Sequence, residues 1–436
     1  MADERPGSVN GRRVAIVDGL RTPFAKAGGE LAGLTALQLG EAVVAELLAR
    51  SGVDRGLIDR VVYGTVVQDV SSPNIAREIV LACDLPDTVD AYSISRACAT
   101  STQTFVDGAQ AILLGEADVV VTGGADSLSK PPVMFTDEFV DVMMKARAAK
   151  DPMTRVKALA GLRPKDLAPQ PPAIADRSTG ESMGQGAERM ARMNGIARQD
   201  QDRFAFESHR KAVEAWEKGV YDQEVMPLVV GSRRDRVVDR DTIPRPDTTL
   251  EKLASLKPVF DRRYGSVTAG NSSPLTDGAS ALLLMEEATA ARLGYTPKAF
   301  LRSYAFSAVD PNWQLLIGPV FAIPTALDRA GLTLDQIDVV DLHEAFSAQV
   351  LSVTAALASD DFARTHLDRS SAVGEIPEDR LNLYGGSISL GHPFGATGAR
   401  QLLTMANELE RRDAGTALIS QCAAGGLGAA VVLERS

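Results

Sequence analysis

An α/β fold made of two related halves, with a segment inserted between them, is the architecture this sequence predicts. Three observations point to it. Short β-branched runs alternate with helix-length amphipathic stretches, one early stretch reappears late in the chain, and the middle has a different texture.

The expected strands are "RVAIVDGLR" (13–21), "DRVVYGTVV" (59–67), "DVVVTGGAD" (118–126), "ALLLMEE" (281–287), "QIDVVDLHE" (336–344) and "TALISQC" (416–422). Their apolar runs are continuous and do not alternate, as in sheets covered by helices on both faces. The repeat is "RSGVDRGLIDRVV" (50–62), which aligns without gaps on "RAGLTLDQIDVVD" (329–341) and shares Gly52/Gly331 and Asp59/Asp338. Each copy reads as a helix end, a glycine cap and a strand. Further on, "CATSTQTFVDGAQAILLG" pairs with "GATGARQLLTMANELERR", which sets Cys98 against Gly395 and Gly64 against His343. Coincidence between two ordinary αβ units is the alternative to duplication. Residues 129–274 carry proline clusters ("KPPVM", "APQPPA") and a long amphipathic run at 197–219. The expected division is a first half at 1–128 and 275–295, an insertion at 129–274 and a second half at 296–436.

At 436 residues, 45% hydrophobic and 24% charged, the chain has the totals of a water-soluble multi-unit protein. No run approaches the ~18 apolar residues of a membrane span. The start "MADERPGSVNGRR" has no apolar secretion core, so a cytoplasmic location is expected. A net charge of −11 disfavours nucleic acid as a partner. One stretch breaks the trend: 143–165 holds Lys145, Arg147, Lys150, Arg155, Lys157, Arg163 and Lys165 against the single acid Asp151. Such runs are most often solvated faces; an anionic membrane surface, nucleotide phosphates or an acidic partner subunit are the sharper readings.

Three cysteines and four histidines are too few and too scattered for a disulfide framework or a sequence-local metal knuckle. Any reactive thiol is therefore free. Cys98, in "SISRACATSTQTF" (93–105), sits between a strand and a helix expected to start near Ala99, whose positive end favours a thiolate. A lone cysteine is more often a small buried hydrophobe, so position alone does not decide its role. His392 lies in the glycine-rich "YGGSISLGHPFGATGAR" (384–400), the loop that mirrors the Cys98 loop. Two halves packed about a pseudo-twofold bring both loops together, and an imidazole beside a thiol can take its proton. Cys422 ends a strand and enters the small-residue loop "AAGGLGAA", a place for an acid/base that moves a proton at carbon. His343 precedes an acid in "DLHEAFSAQV" and on its own reads as structural.

In order, "SRACATS", "GSVTAGNSSPLTDGASA", "HEAF", "GGSISLGHPFGATGAR" and "CAAGGLGAAVVLE" resemble the motifs of the thiolase family, over nearly the whole chain. The resemblance implies two βαβ-rich halves stacked helix, sheet, helix, sheet, helix, with a loop domain inserted in the first. It implies Cys98 as the acyl-thioester nucleophile, His392 as its activator, Cys422 as acid/base, and backbone N–H donors at Cys98 and Ala424 for the thioester oxygen. Many thiolases have glycine at the Ala424 position and asparagine at the His343 position. "HEAF" is similar to the β-subunit type of the fatty-acid β-oxidation trifunctional complex, with His343 in an oxyanion site and a tilt toward longer 3-ketoacyl chains. Gly270, Ser273 and Met183 match pantetheine- and acyl-pocket positions, though a turn hydroxyl and a core methionine are the ordinary roles of the last two. Further implications are coenzyme A as substrate with no permanently bound cofactor or metal, at least a homodimer, a hydratase/3-hydroxyacyl-CoA dehydrogenase α-subunit as partner, and peripheral membrane contact through 143–165. The alternatives are an acetyl-CoA C-acetyltransferase, a non-catalytic lipid-binding relative, and a redox sensor using Cys98 and Cys422.

Overall fold

The computed structural model describes residues 7–169, 175–231, 233 and 235–435. The first residues of the acidic start and most of "APQPPA" lie outside them. In chain order the strands are β1 (Val14–Arg21), β2 (Ala25–Lys26), β3 (Arg60–Gly64), β4 (Asp90–Ile94), β5 (Val119–Asp126), β6 (Leu228–Val230), β7 (Arg236–Val238), β8 (Thr276–Glu286), β9 (Ala299–Ala308), β10 (Val339–Leu342), β11 (Gly415–Ala423) and β12 (Leu427–Arg435). The main sheet runs β10-β11-β12-β9-β1-β8-β5-β3-β4, with β2 on β8 and a separate β6-β7 hairpin.

The order is nearly palindromic. β3 and β5 pair in parallel and β5 meets β8 antiparallel; β10 and β11 pair in parallel and β11 meets β12 antiparallel. Each half feeds its first parallel strand in the same way. The Ala36–Ser51 helix ends on Gly52 at φ 65°, then a turn Arg55–Leu57 and β3; the Pro319–Ala330 helix ends on Gly331 at φ 65°, then a turn Leu334–Gln336 and β10. Both caps are left-handed, a conformation that favours glycine. The halves join where Ala15 and Ile16 of β1 pair with Phe300 and Ala299 of β9, so the expected two sheets form one hydrogen-bonded surface.

Side chains alternate across each half with the period of two that strands impose. Val61, Val121 and Leu283 face one core, under the Ala36–Ser51 and Ile75–Ala82 helices; Val62, Val120 and Leu284 face the central core. In the second half Ile419 and Val431 face that central core, while Leu418 and Val432 face outward under Pro319–Ala330 and Ser347–Leu357. The central layer is the helix pair Thr100–Leu113 and Thr397–Arg412, with Phe105, Leu402 and Leu403 fully buried. Helix, strand, helix, strand and helix therefore stack as five layers. Each such side chain stabilises the fold by roughly 1.5–3 kcal/mol relative to exposure.

The strands match the expectation in part. Residues 65–67 leave the sheet because Asp126 draws the Thr65 hydroxyl and the Val66 and Val67 N–H groups to its carboxylate. β8 starts at Thr276, earlier than expected, and β2, β4, β6, β7, β9 and β12 add to the six runs singled out in the sequence. The segment after β5 is tied to the core by Arg21, whose buried guanidinium bonds Glu224 and, through both terminal nitrogens, Asp241. The basic run folds as the Asp137–Ala148 and Pro152–Leu159 helices and a Pro164–Leu167 turn. Among the described residues no helix is long and apolar enough to cross a membrane.

Candidate active site

The duplicated register places the reactive loops. Cys98 lies two residues before Thr100, the first residue of one central helix; Gly395 lies two residues before Thr397, the first of the other. The two loops meet at the helix ends. Gly124 on β5 passes so close to the Gly395 carbonyl that a Cβ there would lie 2.1 Å from its oxygen. Asp126, at the end of β5, accepts from Gly395 N–H (2.6 Å) as well as from the 65–67 loop, and so clamps both halves together behind Cys98.

Cys98 follows Ala97, which adopts φ 45°, a conformation costing about 1–2 kcal/mol outside glycine. The Gln421 side-chain N–H holds the Cys98 carbonyl at 3.2 Å, tying the nucleophile loop to the strand that carries Cys422. Burial pushes the Cys98 thiol up to about 12, against the opposing pull of N–H groups of Ala424 and of Cys98 itself. Desolvation thus opposes the pull toward thiolate expected of the helix end.

His392 sits in a turn that Gly391, at φ 100°, allows; a Cβ there would strike Ile243 and Thr276. Its Nδ1 is 2.7 Å from the Thr397 hydroxyl, which itself donates to the Pro393 carbonyl at 2.9 Å. The hydroxyl is therefore an acceptor toward the ring, Nδ1 carries the hydrogen, and Nε2 is a free base. Nε2 has no hydrogen-bond partner. Burial, helped by the Arg400 charge, lowers His392 to about 3. His343 follows β10; its Nδ1 lies 3.0 Å from the Ser387 hydroxyl and its Nε2 also has no partner. Burial, His392 and Arg400 hold it well below the usual range. Arg400 is buried against Asp341 at 2.7 Å. At neutral pH the thiol and both imidazoles are uncharged.

Cys98 Sγ and a ring nitrogen from each of His343 and His392 lie within 4.8 Å of one another. The two rings are 4.2 Å apart between centroids. Cys98, His392, Cys422 and Ala424 line one cavity of about 620 Å3, together with Met183, Ser273 and an apolar wall of Leu316, Phe260 and Phe346. Cys422 is buried, and that burial pushes its thiol up. Two predicted residues are not part of the lining: His343, whose ring packs on that of His392, and Gly270, where a Cβ would meet Leu253 and Leu256. Asp126, Thr397, Ser387 and Gln421 were not singled out in the sequence. Thr397 and Ser387 lie within the motif that carries His392, but only the folded geometry shows which ring each one holds.

Comparison with known proteins fits this geometry. The family described as thiolase, N-terminal domain, matches residues 14–288, and thiolase, C-terminal domain, matches 295–435. The chain is 49% identical over 424 residues to a 3-ketoacyl-CoA thiolase of Yersinia pestis (strain Pestoides F), covering 97% of each chain. A 3-ketoacyl-CoA thiolase of Yersinia pseudotuberculosis serotype O:1b matches equally, at 49% over 97% of both. Among solved structures it is similar to the Bacillus anthracis acetyl-CoA acetyltransferase, with TM-score 0.85, 32% identity and 98% and 99% coverage. It is also similar to human mitochondrial 3-ketoacyl-CoA thiolase in complex with CoA, with TM-score 0.82, 31% identity and 98% coverage of both. With both family domains matched in order and the mirrored loops converging on one thiol, the chain belongs to the thiolase family.

Proposed function

We infer that the protein is a 3-ketoacyl-CoA thiolase, cleaving 3-ketoacyl-CoA with free coenzyme A into acetyl-CoA and an acyl-CoA two carbons shorter. The observation that carries this is the convergence of Cys98, His343 and His392, of which Cys98 and His392 line, with Cys422, a cavity with an apolar wall. Cys98 sulfur attacks the 3-keto carbon while its proton passes to His392 Nε2, so no charged pair need exist beforehand. The oxyanion falls to the Cys98 and Ala424 N–H groups, which already point at the sulfur. The C2–C3 bond then breaks, leaving the acyl group on Cys98. The departing acetyl-CoA enolate takes a proton from Cys422. Its oxygen is met by the protonated His392 and by His343 Nε2–H, the tautomer present when the Ser387 hydroxyl donates to Nδ1. Incoming coenzyme A gives its thiol proton to the Cys422 thiolate and attacks the thioester. Cys98 leaves and recovers its proton from His392, which burial returns to the neutral form.

The relatives named 3-ketoacyl-CoA thiolase and the apolar wall support this over an acetyl-CoA C-acetyltransferase making acetoacetyl-CoA. Turnover measured from acetoacetyl-CoA to long-chain 3-ketoacyl-CoA, with and without a copurifying hydratase/dehydrogenase, tests it. Long substrates are expected to be cleaved; cleavage confined to acetoacetyl-CoA would sink the β-subunit-type reading.

We further propose that the protein works in the cytoplasm as at least a homodimer, beside a hydratase/3-hydroxyacyl-CoA dehydrogenase subunit, and touches membrane through 143–165. The supporting feature is the basic run itself, whose helices also expose Met143, Met144, Met153, Val156 and Leu159. Apolar side chains flanked by cations suit an anionic interface. Each basic residue near such a surface contributes about 1 kcal/mol. Binding to vesicles containing anionic lipid should therefore be salt-sensitive, and Lys145→Glu, Arg147→Glu, Lys150→Glu and Arg155→Glu together should lower it by at least about 10²-fold. Soluble turnover should be unchanged. Equal vesicle binding by wild type and the fourfold variant removes the anchor.

A further inference from the structure

The same three side chains that serve acyl transfer form a second kind of site. We propose that Cys98, His343 and His392 constitute a reversible, inhibitory binding site for Zn2+, in which the ion and the acyl substrate exclude one another.

The geometry is favourable. A tetrahedral zinc ion with one sulfur and two imidazole ligands sets those ligand atoms about 3.3–3.6 Å apart, from its usual bond lengths. Here they already lie within 4.8 Å, and side-chain rotation alone can supply the difference of about 1 Å. The two imidazoles are oriented for it, because both Nε2 atoms are buried without a hydrogen-bond partner while both Nδ1 atoms face a hydroxyl. A metal-bound histidine usually donates its far N–H to a carboxylate, a backbone carbonyl or water, and a hydroxyl oxygen can accept in the same way. Thr397 already accepts from His392 Nδ1. Ser387 can accept from His343 Nδ1 as readily as donate to it, so a rotation of one hydroxyl converts His343 from oxyanion donor to metal ligand. Cys422 and Ser273 line the same cavity, leaving room for a fourth ligand from Cys422 or water.

One thiolate with two neutral imidazoles suits borderline-soft ions such as zinc and does not suit magnesium or calcium. On binding, the Cys98 S–H proton leaves for solvent and a Zn–S bond forms; nothing is oxidised or reduced. His343 is the member that completes the set. With an amide at that position only Cys98 and His392 would remain of the three ligand atoms that lie within 4.8 Å of one another.

The inhibition rests on the thiolase reading, but the binding does not, and the two are tested apart. Metal-free full-length protein is titrated with Zn2+ and, for spectroscopy, with Co2+ alone, in the absence of any substrate. The expected result is one ion per chain, with a thiolate-to-cobalt absorption in the near ultraviolet and visible bands of tetrahedral intensity. That spectrum should vanish in Cys98→Ala and after Cys98 is alkylated, and affinity should fall at least tenfold in His343→Asn. If His343→Asn fails to fold, as judged by circular dichroism, Cys98→Ala with wild type decides the case. In the turnover assay Zn2+ should inhibit wild type, and chelator should restore it. Stoichiometric binding in a protein without thiolase activity would uphold the metal site and overturn only the inhibition. Absence of binding at micromolar zinc, or binding equal in wild type and Cys98→Ala, would overturn the site itself; equal affinity in His343→Asn would overturn the three-ligand assignment.

Discussion

Cys98→Ala is expected to lower thiolysis by at least about 10⁴-fold, because every step after the first passes through the Cys98 thioester and removal of a nucleophile costs nearly as much as loss of the whole catalytic set. Incubation of wild type with a 3-ketoacyl-CoA should add one acyl mass to the peptide that contains Cys98, and the variant should gain none. A covalent adduct at Cys83 or Cys422 in its place would end the assignment. The same residue carries a pH signature. With the thiol pushed up to about 12 and His392 down to about 3, the resting pair is neutral across the working range. A raised thiol pKa means less thiolate at every pH below it. Alkylation of the free enzyme should therefore climb about tenfold per pH unit between pH 7 and 9. A rate already level at pH 7 would mean a preformed thiolate–imidazolium pair, contrary to the desolvation seen around the sulfur.

Cys422→Ala is expected to slow turnover by about 10²–10⁴-fold, the usual range for loss of a general acid/base. Its distinguishing readout is exchange of the acetyl-CoA α-protons in D2O. Wild type should exchange them, because Cys422 removes and returns that proton while no acyl acceptor is needed. The variant should lose exchange yet keep the Cys98 thiol that alkylates, since Cys422 is not the group that deprotonates it. Exchange at the wild-type rate in Cys422→Ala would transfer the carbon acid/base role to another residue. Cys422 is buried, and desolvation above all pushes its thiol up.

Much of this was open to reading from the chain alone. The Gly52 and Gly331 caps, the turns after them and the strands β3 and β10 follow from local pattern, since a left-handed cap and a β-branched run need only their neighbours. The register that set Cys98 against Gly395 reappears as equal spacing before two central helices. Local pattern failed where a distant group outbid it. Residues 65–67 look like strand, but Asp126 takes their donors. Gly270 stands in a motif with Ser273, yet it packs on Leu253 and Leu256 while Ser273 lines the cavity.

By itself the sequence determined an α/β duplication and the kinds of reactive group it carries, two thiols and two imidazoles on loops at strand ends. Only the tertiary structure decided that Cys98, His343 and His392 share one small space and that all three rest uncharged. The reason is that side-chain type and strand period are local properties, whereas proximity and desolvation arise from the pairing of β1 with β9 and the stacking of two central helices contributed by opposite ends of the chain.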